Sequence, residues 1–209
     1  MKDLDKLAEG FRRFRQTYYQ SDPHLFEQLN KGQHPNVLMI ACSDSRVDPA
    51  LLTDGEPGDL FVIRNVANLV PPYEPRSAHI GTLSAIEYAV MHLHVEHIIV
   101  KGHSNCGGIG GLWAADEFKS EFIGPWVQIA RDVREKAMSR LRYESKEQQL
   151  RAMEVESVRL SLRNLMTYPW IAEKTKGNEL MLHGWYFDMA AGDLLEVRED
   201  TEELRNLLR

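Results

Sequence analysis

Cysteine is scarce in this sequence: only 2 of its 209 residues are cysteines, Cys42 and Cys106. Two are too few for the disulfide framework of a small secreted protein, and they are compatible with a reducing compartment in which thiols bind metal or react. Apolar runs long enough to cross a membrane are also missing. The N-terminal segment mixes acidic with apolar residues, unlike a secretory signal or a transit peptide, so we expect a cytoplasmic protein.

Basic residues do not outnumber acidic ones. The chain has 25 Lys and Arg against 31 Asp and Glu, a formal net charge of -6 at pH 7, and no block of basic residues. Such a composition does not predict a positively charged surface that would bind nucleic acid or anionic lipid. We therefore expect its partners to be small molecules and other protein chains, with no nucleic acid and no membrane.

Short apolar runs alternate with amphipathic segments, which predicts an α/β fold. Unbroken apolar runs that begin at Val37, Leu60 and His97 are typical of buried strands, and a segment with helical spacing from Gly81 separates the last two. This order favours a mostly parallel central β-sheet flanked by helices. The length, without repeats or a linker, fits a single domain over residues 1–209.

Further elements are predicted towards both ends of the chain. Helical spacing between Leu4 and Gln20, followed by a second short helix, predicts an N-terminal helical arm over residues 1–32. Amphipathic segments from Trp126 to Met138 and from Lys146 to Tyr168 predict two long helices. Near the C-terminus, two runs joined across AAGD predict an antiparallel hairpin at an edge of the sheet.

Both cysteines follow predicted strands. Cys42 ends the strand that starts at Val37, and Cys106 lies just beyond the strand that starts at His97. Ligand sites collect at the carboxyl ends of parallel strands. His103 precedes Cys106 by three residues in GHSNCGG, a turn spacing that lets both side chains reach one point. One imidazole and two thiolates suit zinc, and three protein ligands leave the open fourth position of a catalytic site.

Asp44 is the candidate for that fourth position. It follows Cys42 by two residues, so in an extended chain its side chain returns to the same face. Arg46 lies two residues further, and its guanidinium can hold a carboxylate through two parallel hydrogen bonds. The sequence therefore leaves Asp44 two partners, the metal or Arg46.

Each of these residues alone is more often structural than functional. A lone cysteine usually packs in a core, and an Asp–Arg pair usually clamps a fold. Together they point to one site. A disulfide between Cys42 and Cys106 is the alternative, but it would leave His103 and Asp44 unexplained.

Two motifs, CSDSR at residues 42–46 and GHSNCGG at residues 102–108, resemble those of the β-class carbonic anhydrases. The similarity also takes in EPGD, FVIRNVANLVPPY, GTLSAIEYAV and HGWYFD, and so extends from about residue 33 to about residue 195. It implies one Zn2+ per chain held by Cys42, His103 and Cys106. Asp44 and Arg46 would then be the catalytic acid and its clamp in the reversible hydration of CO2 to bicarbonate and a proton, the reaction of a zinc lyase.

The resemblance also indicates a subclass. Gln33, Phe61 and Tyr88 match the substrate pocket of the plant-type enzymes, in which these residues come from the neighbouring subunit. This implies a homodimer, or a larger oligomer built from dimers, with the active site at the subunit interface. Another subclass has a non-catalytic bicarbonate pocket around a tryptophan, and Met39 stands at that position here. We therefore expect an open, constitutively active site, with Asp44 as a fourth ligand only in an inactive form.

Two other functions remain open. Relatives with this zinc constellation can change substrate, so the chain could hydrolyse a sulfur analogue of CO2, such as carbon disulfide or carbonyl sulfide. From a different class, it could be a zinc-stabilised, non-catalytic bicarbonate-binding protein in which Asp44 is a permanent fourth ligand. Hydration activity would separate these two functions from the first.

Overall fold

The computed structural model describes residues 2–75, 78–114 and 120–208. The chain divides into two compact units, one that ends at His34 and one that begins at Pro35. The arm predicted for residues 1–32 falls in the first unit. Within the described ranges, no helix combines the length and the apolar character needed to span a bilayer.

The first unit is helical. Helix α1 covers Lys2–Phe14 and continues into a wider π-helical turn, Arg15–Gln20, and α2 covers Pro23–Leu29. Asp22 caps α2, because its carboxylate accepts a hydrogen bond of 3.1 Å from the backbone N–H of Leu25. Proline at the first position of α2 has no N–H that would need a partner there.

The second unit is built on a six-stranded sheet in the order β2-β1-β3-β4-β5-β6. The strands are β1 (Val37–Cys42), β2 (Leu60–Asn65), β3 (His97–His103), β4 (Met181–Asp188), β5 (Asp193–Val197) and β6 (Arg205–Asn206). The first four are parallel and the last two antiparallel. The mostly parallel sheet and the C-terminal hairpin are thus confirmed. The pattern does not predict β6, a strand of two residues.

Seven helices accompany the sheet in the described part of this unit. They are α3 (Pro49–Thr53), α4 (Ile80–Glu87, continued by a π-helical turn, Tyr88–His92), α5 (Gly107–Ala114), α6 (Ile123–Val127), α7 (Arg131–Arg140), α8 (Lys146–Leu165) and α9 (Pro169–Lys176).

Two sequence expectations differ from these bounds, and one further helix is not expected. The helix expected from Trp126 to Met138 is broken into the end of α6, a short 3-10 turn and α7. The helix expected from Lys146 to Tyr168 ends at Leu165, because a proline pushes the residue before it out of the helical region, and Tyr168 has an extended ψ of 117°. The following proline starts α9, which the pattern does not predict.

Two regions of the sequence pattern reach beyond the described residues. The proline-rich loop expected before Gly81 includes residues 76–77, and the helix expected after the glycine-rich turn at Cys106 includes residues 115–118. Neither stretch is described.

The core brings the carboxyl ends of β1 and β3 together. Leu38 and Ile40 are buried in one cluster with residues of α8, while Met39 and Ala41 are buried on the opposite face. A strand buried on both faces is an unbroken apolar run in sequence. Because Ala41 pairs with Lys101 in the parallel register, β1 and β3 end side by side.

Candidate metal centre

Three potential metal ligands meet at the carboxyl ends of these two strands. Cys42 ends β1, His103 ends β3, and Cys106 comes three residues later, directly before α5. All three residues are buried, and their ligand atoms lie within 4.8 Å of one another. The two sulfur atoms are 3.9 Å apart and form no disulfide.

The turn between His103 and Cys106 is fixed by hydrogen bonds to the end of β4. The backbone N–H of Ser104 donates to the carbonyl of Phe187 over 3.0 Å, and the Ser104 hydroxyl accepts from the backbone N–H of Met189 over 2.9 Å. Asn105 takes a left-handed conformation, with a φ of 55°, which reverses the chain. The turn therefore aims His103 and Cys106 at the same point.

Gly108, just after this turn, lies in close contact with the residues that follow β2. A β-carbon there would lie 2.7 Å from Cγ1 of Val66 and 2.9 Å from Cβ of Ala67. No other residue fits without a shift of these neighbours. The start of α5 is thereby seated against the segment after β2.

His103 presents a free lone pair to the two sulfurs. Its Nδ1 lies 2.9 Å from the carbonyl oxygen of Ser104, and because a carbonyl only accepts, Nδ1 carries the proton. The buried Nε2 has no hydrogen-bond partner among the described residues. Leaving such an atom unsatisfied costs free energy. A zinc ion would satisfy it, and one imidazole with two thiolates is a donor set that zinc accepts.

The two thiols perturb each other. The hydrogen bond from Cys106 lowers the pKa of Cys42 against the opposing effect of burial. The same hydrogen bond and burial raise the pKa of Cys106. One proton is thus shared by the pair. A divalent cation would stabilise both thiolates, because it attracts negative charge and replaces the proton.

Asp44 and Arg46 form a bidentate pair at the edge of this site. The Arg46 guanidinium donates from Nε to Oδ1 of Asp44 over 2.9 Å and from Nη2 to Oδ2 over 2.7 Å. This side-chain hydrogen bonding holds the pKa of Asp44 well below its usual range. Asp44 does not belong to the group of ligand atoms that could hold a metal among the described residues.

Arg46 also connects the two loops of the site. Its Nη2 donates to the carbonyl oxygen of Asn105 over 3.0 Å, in the turn between His103 and Cys106. The carboxylate of Asp44 is therefore positioned relative to both loops.

Arg64 of β2 binds the loop after Cys42 through hydrogen bonds. The guanidinium donates from Nε to the carbonyl of Cys42 over 3.1 Å and from Nη2 to the carbonyl of Asp44 over 2.7 Å. Its Nη1 pairs with the carboxylate of Asp48 over 2.8 Å. One guanidinium thus fixes the start of the loop and its far end.

Glu154 of α8 is a buried acid beside the metal ligands. Its carboxylate accepts from the backbone N–H of Cys106 over 3.0 Å and from the hydroxyl of Tyr186 over 2.8 Å. Burial raises the pKa of Glu154. Helix α8 therefore braces a ligand of the centre.

Of the predicted pocket residues, Phe61 lies in the second unit, apart from the metal ligands of its own chain. Phe61 pairs with Leu38 in the strand register, whereas Cys42 pairs with Asn65 four residues further on, which is about 13 Å along the strand. The rings of Phe61 and Tyr88 are 5.9 Å apart, and Tyr88 is 45% exposed. Gln33 is exposed in the first unit.

Sequence reasoning does not single out Lys101 or Glu154. Lys101 is the one charged residue within HIIVKGH, a run otherwise typical of a buried strand, and this interruption is the signal that could have identified it. No comparable signal marks Glu154, because α8 contains many charged residues. Only the fold reveals that its side chain is buried.

Comparisons with known proteins agree with this geometry. The profile of a family described as carbonic anhydrase matches residues 37–194. A carbonic anhydrase of Synechococcus elongatus is 38% identical over 202 residues, which are 96% of this chain and 74% of that protein.

Two solved structures are also similar over nearly the whole chain. The β-carbonic anhydrase CcaA is 36% identical, with a TM-score of 0.91 over 99% of this chain and 92% of that one. A structure of tetrameric β-carbonic anhydrases from Sordaria macrospora is 31% identical, with a TM-score of 0.85 over 94% of this chain and 98% of that one.

Proposed function

This chain belongs to the β-class carbonic anhydrases, and from that premise we propose which of its residues perform the reaction. The reaction is the reversible hydration of CO2 to bicarbonate and a proton. Cys42, His103 and Cys106 are proposed to hold one Zn2+ per chain. The observation that supports this most is the buried Nε2 of His103, which lies near two sulfur atoms and has no hydrogen-bond partner among the described residues.

Asp44 is proposed to orient the attacking oxygen. Zinc held by the three ligands would lower the pKa of a water molecule and so supply hydroxide near neutral pH. The carboxylate of Asp44 would accept a hydrogen bond from that oxygen and direct its lone pair towards CO2. It is suited to accept, because its hydrogen bonds with Arg46 hold the pKa of Asp44 well below its usual range.

Arg46 is proposed to keep this carboxylate away from the metal. Asp44 is two residues from Cys42, close enough in sequence to reach the fourth position of the zinc. The two-pronged hydrogen bond from Arg46 opposes that movement. An Asp44 ligand would fill the position that substrate water needs and give an inactive form.

The substrate pocket is proposed to include residues of a second subunit. Phe61 lies about 13 Å along the sheet from the metal ligands of its own chain, so it cannot form a wall next to them. A neighbouring subunit could supply Gln33, Phe61 and Tyr88, with the two aromatic rings forming an apolar surface for CO2. This arrangement requires a homodimer or an assembly of dimers.

A cytoplasmic location is proposed as well, which two free cysteines support.

Metal content and activity measured on the same samples test these proposals. We expect about one zinc per chain and CO2 hydration in the unmodified protein, and loss of both in Cys106→Ser. Zinc without hydration activity, but with hydrolysis of carbonyl sulfide, would identify the sulfur-analogue hydrolase. Zinc with neither activity would identify the non-catalytic bicarbonate-binding protein.

A further inference from the structure

Lys101 is a buried lysine within the central strand β3. Only 1% of its surface is exposed, and it lies two residues before His103. Removing an ammonium group from water costs free energy unless other groups compensate. Its hydrogen bond goes to a backbone carbonyl, that of Val47, over 3.0 Å.

The surroundings of Lys101 do not neutralise its charge. The charged groups near its ammonium are Arg64, which repels it, and Asp48, which attracts it. The carboxylate of Asp48 is already paired with Arg64. Within the described part of the chain, the hydrogen-bond partner that Lys101 gains for its burial is therefore the carbonyl of Val47 alone.

Val47 closes the turn that begins at Asp44. Its backbone N–H donates to the carbonyl of Asp44 over 3.2 Å. Arg64 holds the first carbonyl of this turn over 2.7 Å, and Lys101 holds the last over 3.0 Å. Two cations, one on β2 and one on β3, thus attach both ends of the turn to the sheet.

We propose that Lys101 is a positioning residue for the hydration reaction. By holding the carbonyl of Val47, it fixes the turn in the conformation that presents Asp44 to Arg46 and keeps the carboxylate off the metal. Without this bond the far end of the turn is free to move, and Asp44 can turn towards the ligands. The inference rests on the proposed roles of Asp44 and Arg46.

Lys101→Met tests the proposal, because methionine is unbranched, of similar length, and has no donor. Ile99→Ala is the matched control, since Ile99 is buried on the same face of β3, two residues earlier. It weakens the core without removing a bond to the turn. The three proteins are compared by zinc content, by kcat/KM for CO2 hydration, and by the visible spectrum of the cobalt-substituted form across pH.

We expect Lys101→Met to retain its zinc and to lose about 10- to 100-fold in kcat/KM, the usual range for residues that orient a metal site from outside its ligands. Its cobalt spectrum should become insensitive to pH, as a carboxylate replaces water on the metal. Ile99→Ala should unfold at a lower temperature but keep the spectrum of the unmodified protein. An unchanged spectrum in Lys101→Met, or a loss of activity no larger than in Ile99→Ala, would overturn the proposal.

A second variant tests the proposal if Lys101→Met does not fold. Lys101→Gln keeps a neutral donor on a shorter side chain, and we expect a cobalt spectrum intermediate between the open and carboxylate-bound forms. The spectrum of the unmodified protein in this variant would contradict the role of Lys101. The cobalt spectrum of Arg46→Ala separates failure of this inference from failure of the proposed roles of Asp44 and Arg46. A carboxylate-bound spectrum in Arg46→Ala, with an unchanged spectrum in the Lys101 variants, would reject the role of Lys101 alone.

Discussion

Two regions of the second unit differ in how complete they are within a single chain. The metal-site loops, residues 42–48 and 103–106, are joined by a hydrogen bond from Arg46, and the first loop is attached to the sheet by Arg64 and Lys101. The aromatic pair, Phe61 and Tyr88, is joined by a ring contact and remains partly exposed. In the proposed arrangement, one chain contains the whole metal centre, while a second chain supplies the apolar wall for CO2.

The largest effect is expected from His103→Ala. Loss of the imidazole removes one of three ligands, so zinc should be absent and activity should fall by more than about 10³-fold. Metal analysis and stopped-flow hydration measure both. His183→Ala, on the neighbouring strand β4, is the control and should keep zinc and activity. Retained zinc in His103→Ala would exclude the proposed ligand set.

Arg46→Ala should separate catalysis from metal binding. We expect zinc to remain bound and activity to fall about 10²- to 10³-fold, because Asp44 loses its clamp and moves to the metal. Arg198→Ala is a matched control: Arg198 makes the same two-pronged bond to Asp200, at 3.1 and 3.0 Å, on the surface. Surface pairs of this kind contribute little. Full activity of Arg46→Ala would refute the role of the clamp.

Variants of the aromatic pair should impair substrate access without touching the metal. Phe61→Ala combined with Tyr88→Ala should keep zinc and lose about tenfold in kcat/KM, since an apolar wall is removed. Tyr143→Ala, at a side chain 93% exposed, is the control.

Mixing subunits sharpens this third test. A hybrid dimer of the aromatic double variant and His103→Ala has one site with an intact metal centre and an intact wall. Random mixing in equal amounts should therefore restore about one quarter of the unmodified activity. Activity that stays at the average of the two separate variants would show that each site is built from one chain.

The smallest effect is expected at His183, in strand β4. Burial, with a smaller effect of His97, lowers the pKa of His183. Between the lowered pKa of the folded chain and the ordinary pKa near 6.5, His183 binds a proton in the unfolded chain but not in the folded chain. The free energy of unfolding therefore falls as pH falls through this window.

In His183→Gln, the slope of the free energy of unfolding against pH should decrease by at most about 1.4 kcal/mol per pH unit. Urea unfolding at pH 7.5 and pH 5.5 measures the change, with His24→Gln, on the exposed face of α2, as the control. Parallel slopes in His183→Gln and the unmodified protein would contradict the expectation.

The sequence predicts the centre better than it predicts the groups that support it. Cys42, His103 and Cys106 lie at or just after the ends of strands with clear apolar runs. The parallel register therefore brings them together. Lys101 and Glu154 act through partners 54 and 48 residues away. Local spacing contains no information about such contacts.

The helices show the same limit. Helical periodicity identifies α8, but its end depends on one proline, and the pattern gives no sign of α9 beyond it. Pairing across subunits is still harder to predict from a chain's own pattern. Phe61 and Tyr88 look like ordinary core aromatics unless the family resemblance is used.

Stopped-flow CO2 hydration from about pH 6.5 to pH 9, with zinc quantified in the same sample, tests the central claim most directly. We predict activity throughout this range with about one zinc per chain, because Arg46 holds Asp44 away from the metal. Activity that appears only at the alkaline end, with zinc bound at every pH, would mean that Asp44 closes the site and would contradict the open arrangement.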